Sequence, residues 1–437
     1  MDGPRQGVDG KVVVPAIDAA SSVACMRSLG RRGIETIAIS EQRSPPGFRS
    51  RYVDETVRVP DPALDLEAYE DAILELARRE DVCTIIPVRE ADIYVLARNV
   101  ESLESEIATA WPTLPQLRTV QDRVRLFDAA SEAGVASPET KPFDEWASWD
   151  DDSIVKPRYT VHTPEYAPAF DTRQTNPFST RYIPAGHAPD RSRLVDRMGH
   201  VPIVQEYVPD SDEYAFFALY RDGEAVATFQ HRQRRGWKYA GGPSAYRESV
   251  DIPELYDAGH ALLDHLEWHG LAMVEFLRDP ETGEFKLMEV NPRFWTSLPF
   301  TVRAGVDFPY LYWLQATGRE LPDPPDYDIG LGGHLLRGEL LHLHSILYEE
   351  YPVVDRPKLS RTILEMALTL ALHPRFDYLD PDDFGPFVQD SRNAARQLLA
   401  GADDPPAGDQ TLEEPPTASS RQLTSITETI KSTIERF

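Results

Sequence analysis

The sequence predicts a mixed fold in which a parallel α/β domain precedes an α+β region and a C-terminal helical segment. Three observations support this expectation. Residues 1–118 alternate between short apolar runs and helix-like stretches, which is typical of a parallel βαβ sheet. From Ser153 the pattern changes to short strands separated by Gly, Pro and Asp turns, which is typical of antiparallel sheets. Helical periodicity then dominates residues 331–400.

The N-terminal alternation begins with the apolar run at 11–14, a helix-like stretch to Leu29 and a second apolar run at 34–39. A helix over 67–79 and a strand over 83–88 continue the pattern. The turn after the first run lacks a G-x-G-x-x-G fingerprint, so no dinucleotide site is expected there. Further along the chain the periodicity predicts helices over 119–133, 254–268, 333–350, 360–372 and 390–399.

The composition describes an acidic chain with more than one domain. Its 437 residues exceed what one hydrophobic core usually holds, so two or three domains are expected. The net charge of −27 would repel nucleic acid and anionic membranes, so neither is expected as a partner. Only seven of the 45 basic residues are lysine, and the acids are spread along the chain. We interpret this pattern as the solvated surface of a halophilic protein, since salt screens self-repulsion.

The cellular location follows from what the sequence does not contain. No apolar run reaches the roughly 18–20 residues that span a bilayer. The N-terminus is polar and leads directly into a strand, without the apolar stretch of a signal peptide. The two cysteines, Cys25 and Cys83, form neither a disulfide framework nor a metal-type cluster. A cytoplasmic protein is expected.

The most informative segment, 271–293, is predicted to form a β-hairpin. Asp279–Gly283 is a turn signal between two β-prone runs. If the strands pair symmetrically about Thr282, Glu275 faces Glu289 directly. Alternation then places four side chains on one apolar face, which are Val274, Phe276, Met288 and Val290. Two acids, an amide and an arginine share the other face, namely Glu275, Glu289, Asn291 and Arg293.

Two like charges opposite each other destabilise a sheet, and a shared cation removes that penalty. Two carboxylates and an amide oxygen are hard ligands that suit Mg²⁺. Arg293 beside such a metal would add a donor for the charge that develops in phosphoryl transfer. The alternative is an exposed acidic hairpin on a halophilic surface, and the hairpin alone leaves both interpretations open.

The motif E-V-N-P-R at 289–293, fourteen residues after Glu275, resembles the metal-binding signature of the ATP-grasp superfamily. Three further segments resemble that family in the same order along the chain. They are V-Q-D-R at 120–123, I-V-K-P-R at 154–158 and V-Q-E-Y-V-P at 204–209. The resemblance covers about residues 15–320.

The resemblance implies a site for ATP with Mg²⁺ or Mn²⁺. The implied ATP-binding residues are Arg123, Lys156, Gln205, Glu206, Val208 and Glu213. Arg123 and Lys156 would contact the phosphates, the linker at 204–209 would hold the adenine, and Glu213 would accept the ribose hydroxyls. The implied metal ligands are Glu275, Glu289 and Asn291, with Lys156 and Arg293 as the catalytic residues.

The family fold implies a division of the chain into four parts. A pre-ATP-grasp α/β domain would cover 1–118, and a two-lobed ATP-grasp domain would cover 119–330. Within the latter, 119–153 would be a leading helical segment, 154–208 the lid lobe and 209–330 the lobe for metal and substrate. Residues 331–400 would form a helical region. Residues 401–437 would be a disordered linker with a short terminal helix.

The function that the resemblance implies is ATP-dependent ligation of a carboxylate to an amine through an acyl-phosphate. Within the superfamily the chain is most similar to uncharacterised carboxylate–amine ligases, with some similarity to the large subunit of carbamoyl-phosphate synthetase. The acidic surface suggests a haloarchaeal source. The alternatives are an ATP-binding protein without ligase activity, and a carboxylase or phosphotransferase with another acceptor. Small-molecule substrates are expected as partners, and a homodimer is the commonest assembly.

One departure from the family concerns the lid. Relatives carry a glycine-rich loop after the phosphate-binding lysine, and its backbone N–H groups cover the γ-phosphate. Residues 158–163 contain no glycine. Arg158, or the hydroxyls of Thr160 and Thr163, are the candidate substitutes, and the alternative is a loop that closes in a different way.

Substrate residues are sought in the basic segment 231–235 and shortly after it. The candidates are Arg234, Lys238, Gly242 and Arg247. Arg247 is the best candidate for gripping a carboxylate with two hydrogen bonds. The alternative is that the arginines form surface ion pairs with neighbouring acids.

Overall fold

The structure, a computed structural model, describes residues 9–175 and 180–400. Its first sheet is parallel, as the sequence predicted, and the strand order is β3-β2-β1-β4. The strands are β1 (Lys11–Pro15), β2 (Thr36–Ser40), β3 (Glu55–Arg58) and β4 (Val82–Ile85). The helices are α1 (Ala20–Gly30), α2 (Leu66–Ala77), α3 (Glu90–Arg98) and α4 (Val100–Leu103). Apolar side chains of β1, β2 and β4 are fully buried, which explains their uninterrupted apolar runs.

Two helices connect this domain to the rest of the chain, α5 (Leu114–Gln121) and α6 (Arg123–Glu132). The sequence predicted one helix over 119–133, and the structure corrects this. Asp122 is extended, with φ −103° and ψ 104°, and its side chain accepts from the backbone N–H of Val124. An aspartate in this conformation caps a new helix and makes Arg123 its first residue.

A four-stranded antiparallel sheet follows, with order β5-β10-β6-β9. Its strands are β5 (Thr140–Pro142), β6 (Ser153–Lys156), β9 (Arg181–Ile183) and β10 (Ile203–Glu206). A two-stranded ribbon, β7 (Val161–His162) with β8 (Gln174–Thr175), and one helix, α7 (Arg191–Met198), complete this lobe. A small core between sheet and helix holds it together, formed by Val155, Ile183, Leu194, Met198 and Val204.

The largest sheet has six antiparallel strands in the order β15-β14-β11-β12-β13-β16. They are β11 (Asp212–Arg221), β12 (Glu224–Lys238), β13 (Gly241–Ser249), β14 (Gly270–Arg278), β15 (Phe285–Asn291) and β16 (Gly332–His334). The helices that pack against it include α8 (Pro253–His265), α9 (Leu298–Ala304) and α10 (Phe308–Ala316). Because β16 pairs with β13, the sheet extends beyond residue 330.

The β14–β15 hairpin has the predicted register at its acids, and Glu275 lies opposite Glu289. Towards the turn the register shifts by one residue, so that Leu287 faces Phe276. Met288 is therefore the extra residue of a β-bulge. The prediction that Met288 shares the apolar face with Phe276 was wrong, because Leu287 is the side chain buried there.

The C-terminal part is helical as predicted, with α11 (Leu336–Tyr348), α12 (Leu359–Leu372) and α13 (Gly385–Ala400). No helix within 9–175 and 180–400 is both long and apolar enough to cross a membrane. The linker and short helix that the sequence predicts for 401–437 lie outside the described residues.

A buried ion pair joins the C-terminal part to the first domain. Arg27 Nε lies 2.9 Å from Asp383 Oδ2, and the two side chains are 6% and 1% exposed. The same carboxylate accepts from the Ser50 hydroxyl and from the backbone N–H of Arg51, each at 2.8 Å. Asp383 therefore stabilises the contact between residues more than 300 positions apart.

We expect Asp383→Ala to lower the free energy of unfolding by about 3–5 kcal/mol, because it leaves the Arg27 guanidinium buried without its countercharge. Chemical denaturation would measure the change. Glu365→Ala is the control, since it removes a solvent-exposed partner of Arg361 and should change stability by less than about 0.5 kcal/mol. Equal denaturation midpoints for the two variants would contradict this role.

Candidate active site

The site is built around the two acids that face each other across the hairpin. Asn291, two residues after Glu289, contacts both, since its Nδ2 donates to Glu275 Oε1 at 3.1 Å and to Glu289 Oε1 at 3.3 Å. Its Oδ1 accepts from Arg293 Nη2 at 2.8 Å. Strand alternation places Glu289 and Asn291 on one face of β15, opposite Glu275 of β14.

The two carboxyl groups have different affinities for protons. Burial raises the pKa of Glu275, and the neighbouring charges of Glu289 and Glu213 raise it further. Burial also opposes ionisation of Glu289, but Arg123 and Lys156 outweigh it and lower the pKa of that carboxyl. The pair thus tends to carry a single negative charge, as expected for close carboxylates without a cation between them.

Three cationic side chains reach the acid pair or its neighbours from three different segments. Arg123, at the start of α6, places Nη2 3.2 Å from Glu289 Oε2. Lys156, at the end of β6, is buried and donates to Gln205 Oε1 at 2.8 Å. Burial lowers the Lys156 pKa to about 8, and Arg123 acts in the same direction while nearby carboxylates oppose it. Arg293 follows β15 directly.

The donor set suits a hard divalent cation. Within the described part of the chain, no group of three or more His, Cys, Asp or Glu residues could hold a metal ion. The hairpin offers two carboxylates that suit Mg²⁺ when phosphate oxygens and water supply other ligands. Asn291 points its Nδ2 at these acids, so its Oδ1 would join the ligand set only after the amide turns over. The raised pKa of Glu275 is consistent with this fit, because a bound cation would stabilise the ionised carboxylate against both its burial and its repulsion from Glu289.

Glu213 is the second residue of β11, and Gln233 of β12 donates a hydrogen bond to its carboxylate. Burial raises the Glu213 pKa to about 7, although Gln233 and Lys156 oppose the shift. Gly241 passes close by with φ +116°, and a Cβ there would lie 3.0 Å from Glu213 Oε1. A residue without a side chain is therefore needed at position 241.

The predicted adenine linker runs from the end of β10 towards β11. The Gln205 side chain joins Lys156 to Thr140, with its Nε2 2.8 Å from the Thr140 hydroxyl. Glu206 Oε2 accepts from the backbone N–H of Glu139 at 3.1 Å. Val208 is buried, and its carbonyl accepts from the Ser211 hydroxyl at 3.1 Å. The linker is thus held by its own side chains beside Lys156.

The lid segment without glycine is attached to the helix break at Asp122. Arg158 donates to both Asp122 carboxylate oxygens, at 2.7 and 2.8 Å. The backbone N–H of Thr160 donates to the Gln121 carbonyl at 3.1 Å, and that of Arg158 donates to His200 Nε2 at 2.9 Å. These N–H groups are therefore already bonded within the chain and are not free to cover a phosphate.

Among the three lid side chains that the sequence proposed as substitutes, the structure leaves one available. Arg158 is paired with Asp122, and the Thr163 hydroxyl is bonded to Tyr94 and Glu165. The Thr160 Oγ1, in contrast, is buried and has no hydrogen-bond partner among the described residues. A buried hydroxyl without a partner is uncommon and calls for a ligand or a water molecule.

Thr160 lines a cavity of about 220 Å³ between the acid pair and the first domain. The other polar residues of its wall are Glu90, Arg123, Tyr159, Glu289, Asn291 and Arg293. The wall therefore offers an anionic group two arginines next to the predicted metal ligands, although the carboxylates of Glu90 and Glu289 belong to the same wall.

Sequence reasoning missed two residues of this wall region, Glu90 and Gln121. Arg293 Nε donates to Glu90 Oε1 at 2.8 Å, and Gln121 Nε2 donates to Glu90 Oε2 at 2.7 Å. Glu90 begins α3, just past the carboxyl end of β4. Ligands commonly bind at the carboxyl ends of parallel strands, so this position was the available signal.

The four predicted substrate residues do not line the cavity. Arg247 is fully buried, pairs with Asp377 and lies 5.3 Å from the Phe300 ring centroid, so the prediction that it grips a substrate carboxylate is corrected. Arg234 pairs with Glu248 at 3.7 Å, and Lys238 with Glu349 at 3.4 Å. Gly242 is linked to Glu213 only through Gln233.

The arginines of the basic segment form ion pairs with nearby acids, which was the alternative interpretation of this segment. Arg232 pairs with Asp212 at 2.6 Å, and Arg235 with Glu339 at 2.8 Å. The segment lies in a β-strand, so successive side chains point to opposite faces of the sheet. Three arginines that are close in sequence therefore do not form one binding surface.

Comparison with known proteins agrees with this geometry. A family model described as "ATP-grasp in the biosynthetic pathway with Ter operon" matches residues 200–332, which include the strands with the acid pair. No curated protein matches the chain. Among solved structures, N5-carboxyaminoimidazole synthetase from Staphylococcus aureus with ADP is 12% identical, with a TM-score of 0.57 over 84% of this chain and 98% of that one.

Two further solved structures show the same architecture. The biotin carboxylase domain of Hydrogenobacter thermophilus 2-oxoglutarate carboxylase, solved with MgADP and bicarbonate, is 15% identical, with a TM-score of 0.56 over 76% of this chain and 74% of that one. L-amino acid ligase from Bacillus licheniformis is 13% identical, with a TM-score of 0.51 over 73% and 75%. The chain therefore has the fold of the ATP-grasp superfamily, as the sequence resemblance predicted.

The acid pair gives a prediction for stability without divalent cations. The pKa of Glu275 is higher in the folded chain than in the unfolded chain, so protonation of this carboxyl stabilises the fold. This stabilisation is complete below about pH 4.5 and is lost as the pH rises through the folded-state pKa of about 8. Glu275→Gln has no such proton. We expect this variant to be more stable than the wild type by up to about 1 kcal/mol at neutral pH, and by less at acid pH.

Chemical denaturation in EDTA at several pH values would measure this difference. Glu281→Gln, on the exposed turn of the same hairpin, is the matched control and should not reproduce the pH-dependent gain. A Glu275→Gln variant that is less stable than the wild type at every pH would contradict the claim that the Glu275 and Glu289 carboxylates repel each other.

Proposed function

We propose that the chain is an ATP-dependent ligase that activates a carboxylate as an acyl-phosphate, joins it to an amine, and releases ADP and phosphate. The observation that carries the proposal is the meeting of Arg123, Lys156 and Arg293 around the Glu275–Glu289 pair. Such a concentration of cations beside paired acids suits phosphoryl transfer, in which positioning and charge stabilisation supply most of the catalysis.

The ATP would lie along the edge formed by β6, β10 and β11. Lys156 and Arg123 would bind its phosphates, Gln205, Glu206 and Val208 would hold the adenine, and Glu213 would accept from the ribose hydroxyls. The buried Lys156 supports this assignment, because its pKa of about 8 leaves the ammonium largely charged at neutral pH. The charge of a bound triphosphate would raise that pKa further.

Glu275, Glu289 and Asn291 would hold Mg²⁺ or Mn²⁺. When bound, this ion neutralises phosphate charge during transfer. The chain's own residues fix the rest of the geometry. Glu90 holds the Nε of Arg293, and Asn291 holds its Nη2, so the guanidinium is oriented before any ligand binds.

The chemical steps require few titratable side chains. A carboxylate oxygen of the acceptor attacks the γ-phosphorus, the bond to the β-phosphate oxygen breaks, and ADP leaves. The amine then attacks the acyl carbon, phosphate leaves, and the amine nitrogen loses a proton. The carboxylate is already ionised at neutral pH, so the first step needs no general base. The cavity of about 220 Å³ suits a small acceptor carboxylate held by Arg293.

The solved structures with this fold are consistent with the proposal, since an N5-carboxyaminoimidazole synthetase and an L-amino acid ligase are among them. A carboxylase that phosphorylates bicarbonate is a second candidate, because the cavity is small enough to prefer such an acceptor. We further infer cytoplasmic activity at high salt concentration, where the charge of −27 is screened.

The test is Mg²⁺-dependent ADP formation at high KCl across a panel of carboxylates, each with and without amines, and with bicarbonate. We expect ADP only with a particular carboxylate–amine pair, and a loss of at least about 10³-fold in Glu289→Ala, because a metal ligand is removed. Glu281→Ala is the matched control, since it removes an acid from the turn of the same hairpin. ADP formed with bicarbonate alone would favour the carboxylase instead, and ADP formation that is insensitive to Glu289→Ala would contradict the site.

The free hydroxyl of Thr160 gives a second prediction. We expect it to donate to the transferred phosphoryl group in place of the backbone N–H groups of Arg158 and Thr160, which are bonded within the chain. Thr160→Val should lower kcat by about 10²-fold with little change in the KM for ATP, as for loss of a donor that acts in the transition state. Thr160→Ser, which keeps the hydroxyl, should retain most of the activity. Equal kcat values for the two variants would contradict this role.

A further inference from the structure

Helices α11 and α12 present an apolar surface to solvent, which we call the α11–α12 face. Seven of its large side chains are between 49% and 71% exposed, namely Leu340, Leu347, Tyr348, Ile363, Leu364, Leu368 and Leu372. In α12 the fully buried residues are Thr362 and Met366, while the leucines at 364, 368 and 372 point outward. This is the reverse of the usual arrangement of a surface helix.

The exposed area is of the size that a stable interface needs. Monomeric proteins seldom expose contiguous apolar patches above a few hundred Å². The seven side chains together leave an area on the order of 700 Å² open, close to the roughly 800 Å² that each partner contributes to a standard interface. The α11–α12 face therefore has the area of one half of a protein–protein interface.

The charge of the same region is consistent with a second copy of this chain as the partner. Residues 336–375 contain five acidic and five basic residues, so their net charge is zero, whereas the whole chain carries −27. Two copies repel each other through most of their surfaces. At this face the repulsion is weaker than for the chain as a whole, and the exposed side chains are apolar. An unrelated basic partner would instead be attracted to the acidic parts of the surface.

We infer that the α11–α12 face binds the same face of a second copy, which forms a two-fold symmetric homodimer. A symmetric interface uses one patch twice, so it requires a face that can pair with itself, as an uncharged leucine surface can. The two helices from each copy would bury their leucines against one another in the manner of a four-helix bundle. This inference is independent of the proposed ligase activity.

Salt dependence distinguishes this interface from an electrostatic one. Added KCl screens the repulsion between two chains of charge −27 and leaves the apolar contact intact, so dimerisation should strengthen as the KCl concentration rises. An interface held by ion pairs would weaken under the same conditions.

The experiment is the molar mass of the full chain by light scattering and sedimentation, over a range of protein and KCl concentrations. We expect twice 49.3 kDa for the wild type at high KCl, and 49.3 kDa for Leu364→Glu and Leu368→Glu. Both leucines are exposed, so the variants should fold, and circular dichroism would verify this. Leu64→Glu is the matched control, since Leu64 is 87% exposed but lies outside the α11–α12 face, and this variant should remain dimeric.

A wild type that is monomeric at every concentration would overturn the inference. A dimer that survives Leu364→Glu and Leu368→Glu would overturn it as well, because the interface would then lie elsewhere. A monomer that binds neutral phosphatidylcholine vesicles, and loses this binding in the same two variants, would assign the face to a lipid surface instead.

Discussion

The structure of the site depends on one constraint, the placement of Glu275 directly opposite Glu289 in an antiparallel hairpin. Left alone, the two charges would repel across a Cβ distance of about 5 Å and weaken the pairing of β14 with β15. The fold keeps them together by surrounding them with Asn291, Arg123 and the buried Lys156. Each of these comes from a different segment, so the acid pair also draws the segments towards one point.

The break at Asp122 is what allows the lid lobe to take part. By ending α5 and capping α6, this residue sets Arg123 at a helix start, within reach of Glu289. Its carboxylate also binds Arg158, two residues after Lys156. Asp122 therefore connects the segment that follows β6 to the start of α6. In the same segment the backbone N–H groups of Arg158 and Thr160 donate to His200 and Gln121, while the Thr160 hydroxyl has no partner among the described residues.

Local patterns made part of this architecture predictable from the sequence. The turn at 279–283 lies between its two strands, so the pairing of Glu275 with Glu289 follows from local spacing, and the parallel first sheet follows from its alternation. The bulge at Met288 was not predictable, because nothing in the local pattern marks the extra residue. The helix break at Asp122 was also missed, since apolar periodicity continues across it.

Contacts between distant residues were beyond sequence reasoning. Arg247 was assigned to a substrate because its partner Asp377 lies 130 residues away, and no sequence pattern indicates that the two residues pair. Glu90 was overlooked for the same reason, as Arg293 lies 203 residues further along. Strand β16, at three residues, is too short to produce a periodic signal. In each case the deciding interaction is tertiary, and a single sequence carries no record of it.

The measurement that tests the central claim most directly is the affinity for ATP with and without Mg²⁺, by titration calorimetry. If Glu275 and Glu289 hold the ion between themselves and the phosphates, Mg²⁺ should tighten ATP binding by the wild type, because the bare acids repel a triphosphate. In Glu275→Gln combined with Glu289→Gln, ATP should bind without the ion, and Mg²⁺ should add little. A wild type whose ATP affinity is the same with and without Mg²⁺ would contradict the claim that the facing acids form the metal site.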